Sequence, residues 1–226
     1  MSSPTMMPMS LEEIAQAVQG RLIAGTAAID TPVATSTFTD SRQIVEGSVF
    51  VAIAGERVDG HDYVSKVGAQ GAVAAIVDHE IDGAGVPQIV VEDTVLALGA
   101  LAKHNIERRR ALETPFTVIG ITGSVGKTTT KDLMKALLAH IGPTIAPVGS
   151  FNNEIGLPLT SLKVHAETRF LVAEMGANHV GEIANLTSLV PPDIAVVLKV
   201  GVAHLGEFGS PERIAQAKSE IIRGLE

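Results

Sequence analysis

Cysteine is absent from the 226 residues, which excludes disulfides, thiolate nucleophiles and cysteine-ligated zinc. Aromatic residues reach only 3%, so the core has to be built from Ala, Val, Ile and Leu. Positive charge is also scarce: 17 Lys and Arg stand against 25 Asp and Glu, a formal net charge of −8. The only basic block is Arg108-Arg109-Arg110. It fits the solvated end of a helix, where positive charge suits the dipole, better than a phosphate site. Without a basic stripe the chain lacks what supplies most nucleic-acid affinity, so no nucleic-acid partner is expected. No apolar run approaches the roughly 18 residues of a membrane span. The first nine residues show no basic segment followed by an apolar one, so no signal peptide is readable. The expectation is a cytoplasmic protein, monomeric, with no membrane span.

What is present is 46% hydrophobic residues and 22 glycines, a profile of α/β proteins whose strands are buried on both faces. Ser10-Leu11-Glu12-Glu13 forms a capping box, and Leu11, Ile14, Ala15 and Val18 then share one helical face. Strands are predicted at 48–53, 72–77 and 88–91, with a short helix after Asp62 and a longer one capped by Asp93 and running to Arg110. Glu113-Thr114-Pro115 breaks that helix. Beyond it, strands at 116–121, 144–148, 169–175 and 193–200 alternate with helices at 127–141, 179–190 and 211–225. Such alternation implies a parallel sheet with right-handed crossovers. The predicted fold is α/β: a small amino-terminal α/β domain over 1–113, then a P-loop-type parallel-sheet domain over 114–226, its sheet expected to be unfinished.

The run from Gly120 to Thr129, Gly-Ile-Thr-Gly-Ser-Val-Gly-Lys-Thr-Thr, joins an apolar strand to an amphipathic helix. Gly123 and Gly126 allow successive amides to point at phosphate oxygens, and the helix amino end adds partial positive charge. Lys127 suits the β- and γ-phosphates and Thr128 a magnesium ion. Ile121 stands where the general motif has Gly, leaving the shorter Gly-x-x-Gly-Lys-Thr. The predicted nucleotide-binding residues are Thr122, Gly123, Ser124, Val125, Gly126, Lys127, Thr128 and Thr129. Thr129, Leu133, Ala136, Leu137 and His140 are predicted to form the buried stripe of the following helix.

Three further residues are candidates. Glu174 ends an apolar strand, on the side of a parallel sheet where ligands collect; it suits magnesium as a hard oxygen ligand, or equally faces water. His204 follows the next strand through a short loop, as a surface residue or as a group on the phosphate side. Lys218 falls among Ile214, Ile221, Ile222 and Leu225 on one helical face. A lysine there must snorkel, pair with an acid or be chemically altered.

These residues resemble the Mur ligases of bacterial cell-wall synthesis, which share the short phosphate loop. Thr39-Asp40-Ser41-Arg42, the run from Gly47 to Ala52 and the run from Gly55 to His61 resemble their amino-terminal domain. The runs from Asn152 to Pro158 and from Glu174 to His179 resemble the branch that adds D-alanyl-D-alanine to UDP-N-acetylmuramoyl tripeptide. The resemblance covers nearly the whole chain. It implies an ATP- and Mg2+-dependent ligase of peptidoglycan synthesis: ATP phosphorylates the substrate carboxylate, and the amine attacks the acyl phosphate. It further implies that Lys127 stabilises the transferring phosphoryl group and that Thr128 and Glu174 hold one magnesium. His204 and Lys218 would serve a second magnesium, Lys218 as a carbamate. Ser41, Glu56, Arg57 and Val58 would touch the UDP part of the substrate, and Asn153 would contact substrate in the central domain. A third domain of the family has no counterpart here, so this chain alone is expected to catalyse poorly or not at all. The alternatives are a Mur-type ligase adding a single amino acid, or a non-catalytic substrate-binding module. A GTPase-type switch would need an Asn-Lys-x-Asp base-reading motif, which the sequence lacks, and an Asp-x-x-Gly directly after a strand.

Overall fold

The computed structural model describes residues 6–23, 33–201 and 205–225. The chain divides into two compact units between Asn105 and Ile106, inside helix α3 (Thr94–Arg110) rather than at the 113/114 break. The reason lies in the last turns of α3. Ile106 joins the core that contains Val118 and Leu171, and Arg109 and Arg110 both bind groups of the second unit.

In the first unit, Ser10 caps helix α1 (Leu11–Ala17), its hydroxyl accepting from the Glu13 amide at 3.1 Å. The Glu13 carboxylate meets His104 Nε2 at 2.9 Å. Asp93 caps α3 through the amides of Val95 and Leu96. Strands β1 (Arg21–Ile23), β2 (Ser36–Phe38), β3 (Ser48–Val51), β4 (Ala72–Val77) and β5 (Gln88–Val90) form a sheet in the order β1-β5-β4-β3-β2. All its pairs are parallel except β1 with β5. β1 and β2, three residues each, are too short for an alternating pattern to announce them. The short helical segment after Asp59 includes helix α2 (Val64–Val67). His61 ties its start to the sheet: Nδ1 lies 2.6 Å from Asp59 Oδ1, and Nε2 accepts the Asp78 amide at 3.2 Å.

In the second unit, β6 (Thr117–Thr122), β7 (Thr144–Ile145), β8 (Phe170–Glu174) and β9 (Ile194–Val197) form an all-parallel sheet in the order β7-β8-β6-β9. Helices α4 (Lys127–Leu138), α5 (Gly156–Ser161), α6 (Glu182–Leu189), α7 (Leu205–Phe208) and α8 (Pro211–Arg223) complete it. The sheet core is aliphatic: Ile119, Ile121, Val172, Leu171 and Ala173 are buried, as the scarcity of aromatics requires.

Two expectations fail here. The Arg108–110 block is not a solvated helix end, because Arg109 is buried. Its guanidinium donates to the carbonyls of Thr168, Thr114 and Pro115 at 2.9, 3.2 and 2.9 Å, and burial lowers its pKa. Arg110 reaches Pro191 O and the Asp193 carboxylate. That carboxylate also accepts the Val118 amide at 2.6 Å, locking the starts of β6 and β9 together. The block thus closes carbonyl groups left open at the strand entries.

The second failure concerns α4. Leu133 and Leu137 are 62% and 68% exposed, and Thr129, Ala136 and His140 are exposed with them. The face turned inward instead carries Lys131, which is buried, and Met134 and Leu138, which pack on Ile119, Ile121 and Val172. Carbonyl oxygens draw the lysines of this face inward: Lys127 Nζ donates to Gly123 O at 2.9 Å, and Lys131 Nζ to Pro147 O and Gly149 O.

Candidate functional site

The phosphate loop occupies the turn between β6 and α4, with the residues expected for it, Thr122 to Thr129, in sequence around that turn. Gly126, at the α4 N-cap, has φ +87°, a conformation a side chain at that position would strain. The loop is tied to the segment after β9: Ser124 N donates to Lys199 O at 3.0 Å, and Gly201 N to Ser124 Oγ at 3.0 Å. Beneath it the Thr122 hydroxyl is buried with no hydrogen-bond partner among the described residues.

Parallel pairing sets Ile121 opposite Glu174, bringing the end of β8 beside the loop. The alternative that Glu174 faces water is excluded, since the residue is 1% exposed. One oxygen, Oε2, accepts from Thr128 Oγ1 at 3.1 Å, and the other, Oε1, from Asn152 Nδ2 at 2.9 Å. Asn152 is held there in turn, its carbonyl accepting the Gly176 amide at 2.8 Å. A Cβ on Gly176 would come within 2.8 Å of the Asn152 side chain, so the glycine permits this approach. Among the described residues no cation forms an ion pair with Glu174. A buried carboxylate that accepts from a hydroxyl and from a side-chain amide N–H, with no cationic partner among the described residues, offers with that hydroxyl the hard oxygens a divalent cation takes. The donor set therefore suits magnesium.

Lys218 is also resolved by the structure. It is 3% exposed, so it does not snorkel. Its Nζ donates to Ala177 O at 3.3 Å and stands 5.6 Å from the centre of the Phe208 ring. Desolvation, with the charge of Lys127, lowers its pKa to about 8. Of its expected apolar neighbours, Ile214 and Ile221 are buried, whereas Ile222 and Leu225 are exposed. Glu220, two residues on, is buried and accepts the amides of Gly181 and Ala184 at 2.7 and 3.0 Å, fixing the start of α6. Lys127, Asn152, Asn153, Asn178, Glu182 and Lys218 share the wall of one cavity of about 570 Å³. Asn153 Oδ1 also accepts the Gly156 amide at 2.9 Å. His204 lies outside the described residues.

A second cavity, about 460 Å³, belongs to the first unit and is lined by residues including Ser41, Arg42, Val58, Gly60 and Tyr63. Arg42 forks onto Asp40 with hydrogen bonds of 2.7–3.2 Å, which hold the Asp40 carboxyl down at about 2. Glu56 and Arg57 are exposed and do not line this cavity.

Sequence reasoning missed Asn152 as the partner of Glu174, together with Lys131 and Glu220. The Asn-Asn pair was a visible signal, but which amide faces the carboxylate depends on the path of the segment. Lys131 and Glu220 carried no local signal.

Comparison with known proteins agrees with this architecture. Residues 121–226 match the Mur ligase middle domain and residues 35–106 the Mur ligase family catalytic domain. The UDP-N-acetylmuramoyl-tripeptide–D-alanyl-D-alanine ligase of Mycobacterium bovis is 43% identical, over 96% of this chain and 46% of its own length. The enzyme of the same description from Escherichia coli is 38% identical, over 97% of this chain and 46% of its own. MurF of Acinetobacter baumannii superposes with a TM-score of 0.85 at 39% identity, over 98% of this chain and 48% of that one. MurF ligase of Thermotoga maritima, solved in complex with ADP, gives 0.73 at 39% identity, over 84% and 43%. The chain thus spans less than half the length of these relatives. With both matched regions contiguous with the two units and the phosphate loop inside the second, the chain belongs to the Mur ligase family.

Proposed function

We propose that this chain forms the substrate- and nucleotide-binding part of an ATP-dependent carboxylate–amine ligase. The whole protein would add D-alanyl-D-alanine to UDP-N-acetylmuramoyl tripeptide in peptidoglycan precursor synthesis. The observation that carries the reading is the Thr128–Glu174–Asn152 arrangement beside the phosphate loop, in a chain 38–43% identical to relatives of that description. The second unit would hold ATP. Its phosphates would take the place of Gly123 O as acceptor for Lys127, and the amides of residues 123–128 would line them. Magnesium would be held by Thr128 and Glu174; when bound it supplies positive charge that offsets charge building on the transferring phosphoryl group. ATP would convert the tripeptide carboxylate to an acyl phosphate, and the dipeptide amine would displace phosphate from it.

Lys218 would carry a carbamate. Its neutral amine attacks CO2, a C–N bond forms and a proton leaves to water, converting a buried cation into an anionic oxygen ligand. A pKa of about 8 leaves on the order of a tenth of the amine neutral at pH 7, which supports this step. His204 and the carbamate would then share a second magnesium. The cavity with Ser41 and Val58 would take the UDP moiety, with Glu56 and Arg57 at its margin, and Asn153 would contact the tripeptide. With ATP and a nucleotide-linked sugar as substrates, the reading implies a cytoplasmic enzyme, and we take it to act as a monomer. A ligase adding a single amino acid is the alternative, and the relatives' descriptions weigh against it.

The test is phosphate release by the full-length protein. Release should require both UDP-N-acetylmuramoyl tripeptide and D-alanyl-D-alanine, and Lys127→Ala should lower it by at least about 10³-fold, the scale of a lost charge clamp on a phosphoryl group. Equal turnover with a single amino acid as acceptor would reject the assignment.

A further inference from the structure

We infer that Lys131 is a positioning residue for the metal site, acting through residues 147–152 on Asn152 and thereby on Glu174. The inference rests on the nucleotide-site reading and extends it to a residue that touches neither nucleotide nor metal. Lys131 is 1% exposed. A buried ammonium is costly unless its donors are used, and here they are. Nζ donates to Pro147 O at 3.0 Å and Gly149 O at 3.1 Å, and lies 2.8 Å from Asp132 Oδ1.

The segment it grips starts at Pro147, which is buried, and its far end at Phe151 packs against Gly156; between them side-chain burial fixes little. Val148 and Phe151 are 71% and 52% exposed, so apolar burial does not hold them. Lys131 holds the entry, and the Gly176 amide holds the exit through Asn152 O at 2.8 Å. Between these two anchors Asn152 is delivered to Glu174, occupying Oε1 and leaving Oε2 toward Thr128. The aim of the carboxylate thus depends on a chain of three links: ammonium to carbonyls, segment to Asn152, amide to carboxylate. The phosphate loop, residues 123–127, is held by other bonds, to Lys199 O and through the Gly201 amide. Removing the ammonium should therefore weaken metal binding and spare metal-free nucleotide binding.

The test compares wild type, Lys131→Met, Lys131→Arg and Asn152→Ala in the 226-residue chain. Two readouts are used: hydrogen exchange at the Gly176 amide without ligand, and affinity for a fluorescent ATP analogue in EDTA and in magnesium. In Lys131→Met the Gly176 amide should exchange at least about tenfold faster while the β6 amides stay protected. Affinity in EDTA should stay within about twofold, and the enhancement by magnesium should fall about 10- to 100-fold, the usual cost of losing support behind a metal ligand. Lys131→Arg, which keeps the charge and the donors, should restore most of both. Asn152→Ala should lose the same enhancement, and the double variant should lose no more. Unchanged Gly176 exchange in Lys131→Met overturns the inference, as does an equal loss of affinity with and without magnesium. If Lys131→Met does not fold, Lys131→Gln is judged by the same criteria. Failure of the wild-type chain to bind the nucleotide analogue would count against the functional reading instead, and Gly176 exchange would still decide the role of Lys131.

Discussion

Lys218 shows how much burying a single charged group can cost. Its pKa falls from 10.5 to about 8 because the charged form is desolvated and Lys127 repels it. Between those two values the unfolded chain holds a proton that the folded chain has released, so stability rises with pH across that window. Below pH 8 the full cost of burying the charge is present. Lys218→Met should accordingly stabilise the protein at pH 7 by on the order of 1–3 kcal/mol. That gain should fade as pH rises from 8 toward 10.5, which urea unfolding at a series of pH values will measure. A gain that does not change with pH would mean that packing, and not ionisation, sets the difference. Arg109 is buried for the opposite reason, since its three carbonyl partners compensate it. In the sequence Lys218 stands on an apolar helical face and Arg109 in a basic block, and neither pattern says what the cation meets. What distinguishes them is the set of acceptors each meets in the fold: three carbonyls around Arg109, and Ala177 O beside Lys218.

At the level of elements, helix ends decide how the site is framed. Ser10 and Ser210 cap α1 and α8 from their own sequences, the Ser210 hydroxyl accepting the Arg213 amide at 3.3 Å. Such caps are readable because the donor lies three residues away. Helix α6 has Gly181 at its N-cap and no side-chain cap of its own. Glu220 supplies the missing acceptor from α8. Glu220→Ala should leave those amides without this partner, cost about 1–2 kcal/mol, and speed hydrogen exchange at Ala184 relative to β6. Because α6 contributes Glu182, Asn185 and Leu186 to the cavity wall, the same variant should loosen that wall. The inverted face of α4 has a related cause. Leu133 and Leu137 have the spacing of a buried stripe, but the segment 147–149 offers its carbonyls to Lys131 on the other side. Apolarity at helical period indicates an amphipathic helix; it does not say which neighbour provides the acceptors.

For the whole molecule, the two units carry separate cores and separate cavities. The proposed ligands should therefore register separately. Magnesium with an ATP analogue should protect amides at 120–130 and 174–178 from exchange and leave the β3 and β4 amides unchanged. A UDP-sugar should protect residues around 39–42 and 58–63 instead. Protection of the same segments by both ligands would contradict the assignment of one ligand to each unit. The net charge of −8 gives neither unit a general affinity for anions, so binding has to come from local donors such as the phosphate-loop amides.

Contiguous features were legible without tertiary structure. The phosphate loop is a run of ten residues between a strand and a helix, the strand-helix alternation beyond residue 115 dictates a parallel sheet, and the end of β8 necessarily lies on the loop side of that sheet. Those facts were enough to nominate Lys127, Thr128 and Glu174. Only the folded structure decided that Glu174 is shielded from water, that Asn152 holds its free oxygen, that Lys131 rather than Leu133 is buried, and that Arg109 and Arg110 close strand entries. Apart from the Arg109 bonds to Thr114 and Pro115, these are contacts between segments 16 or more residues apart. Burial and hydrogen bonding depend on what arrives from elsewhere, and local periodicity carries no record of that arrival.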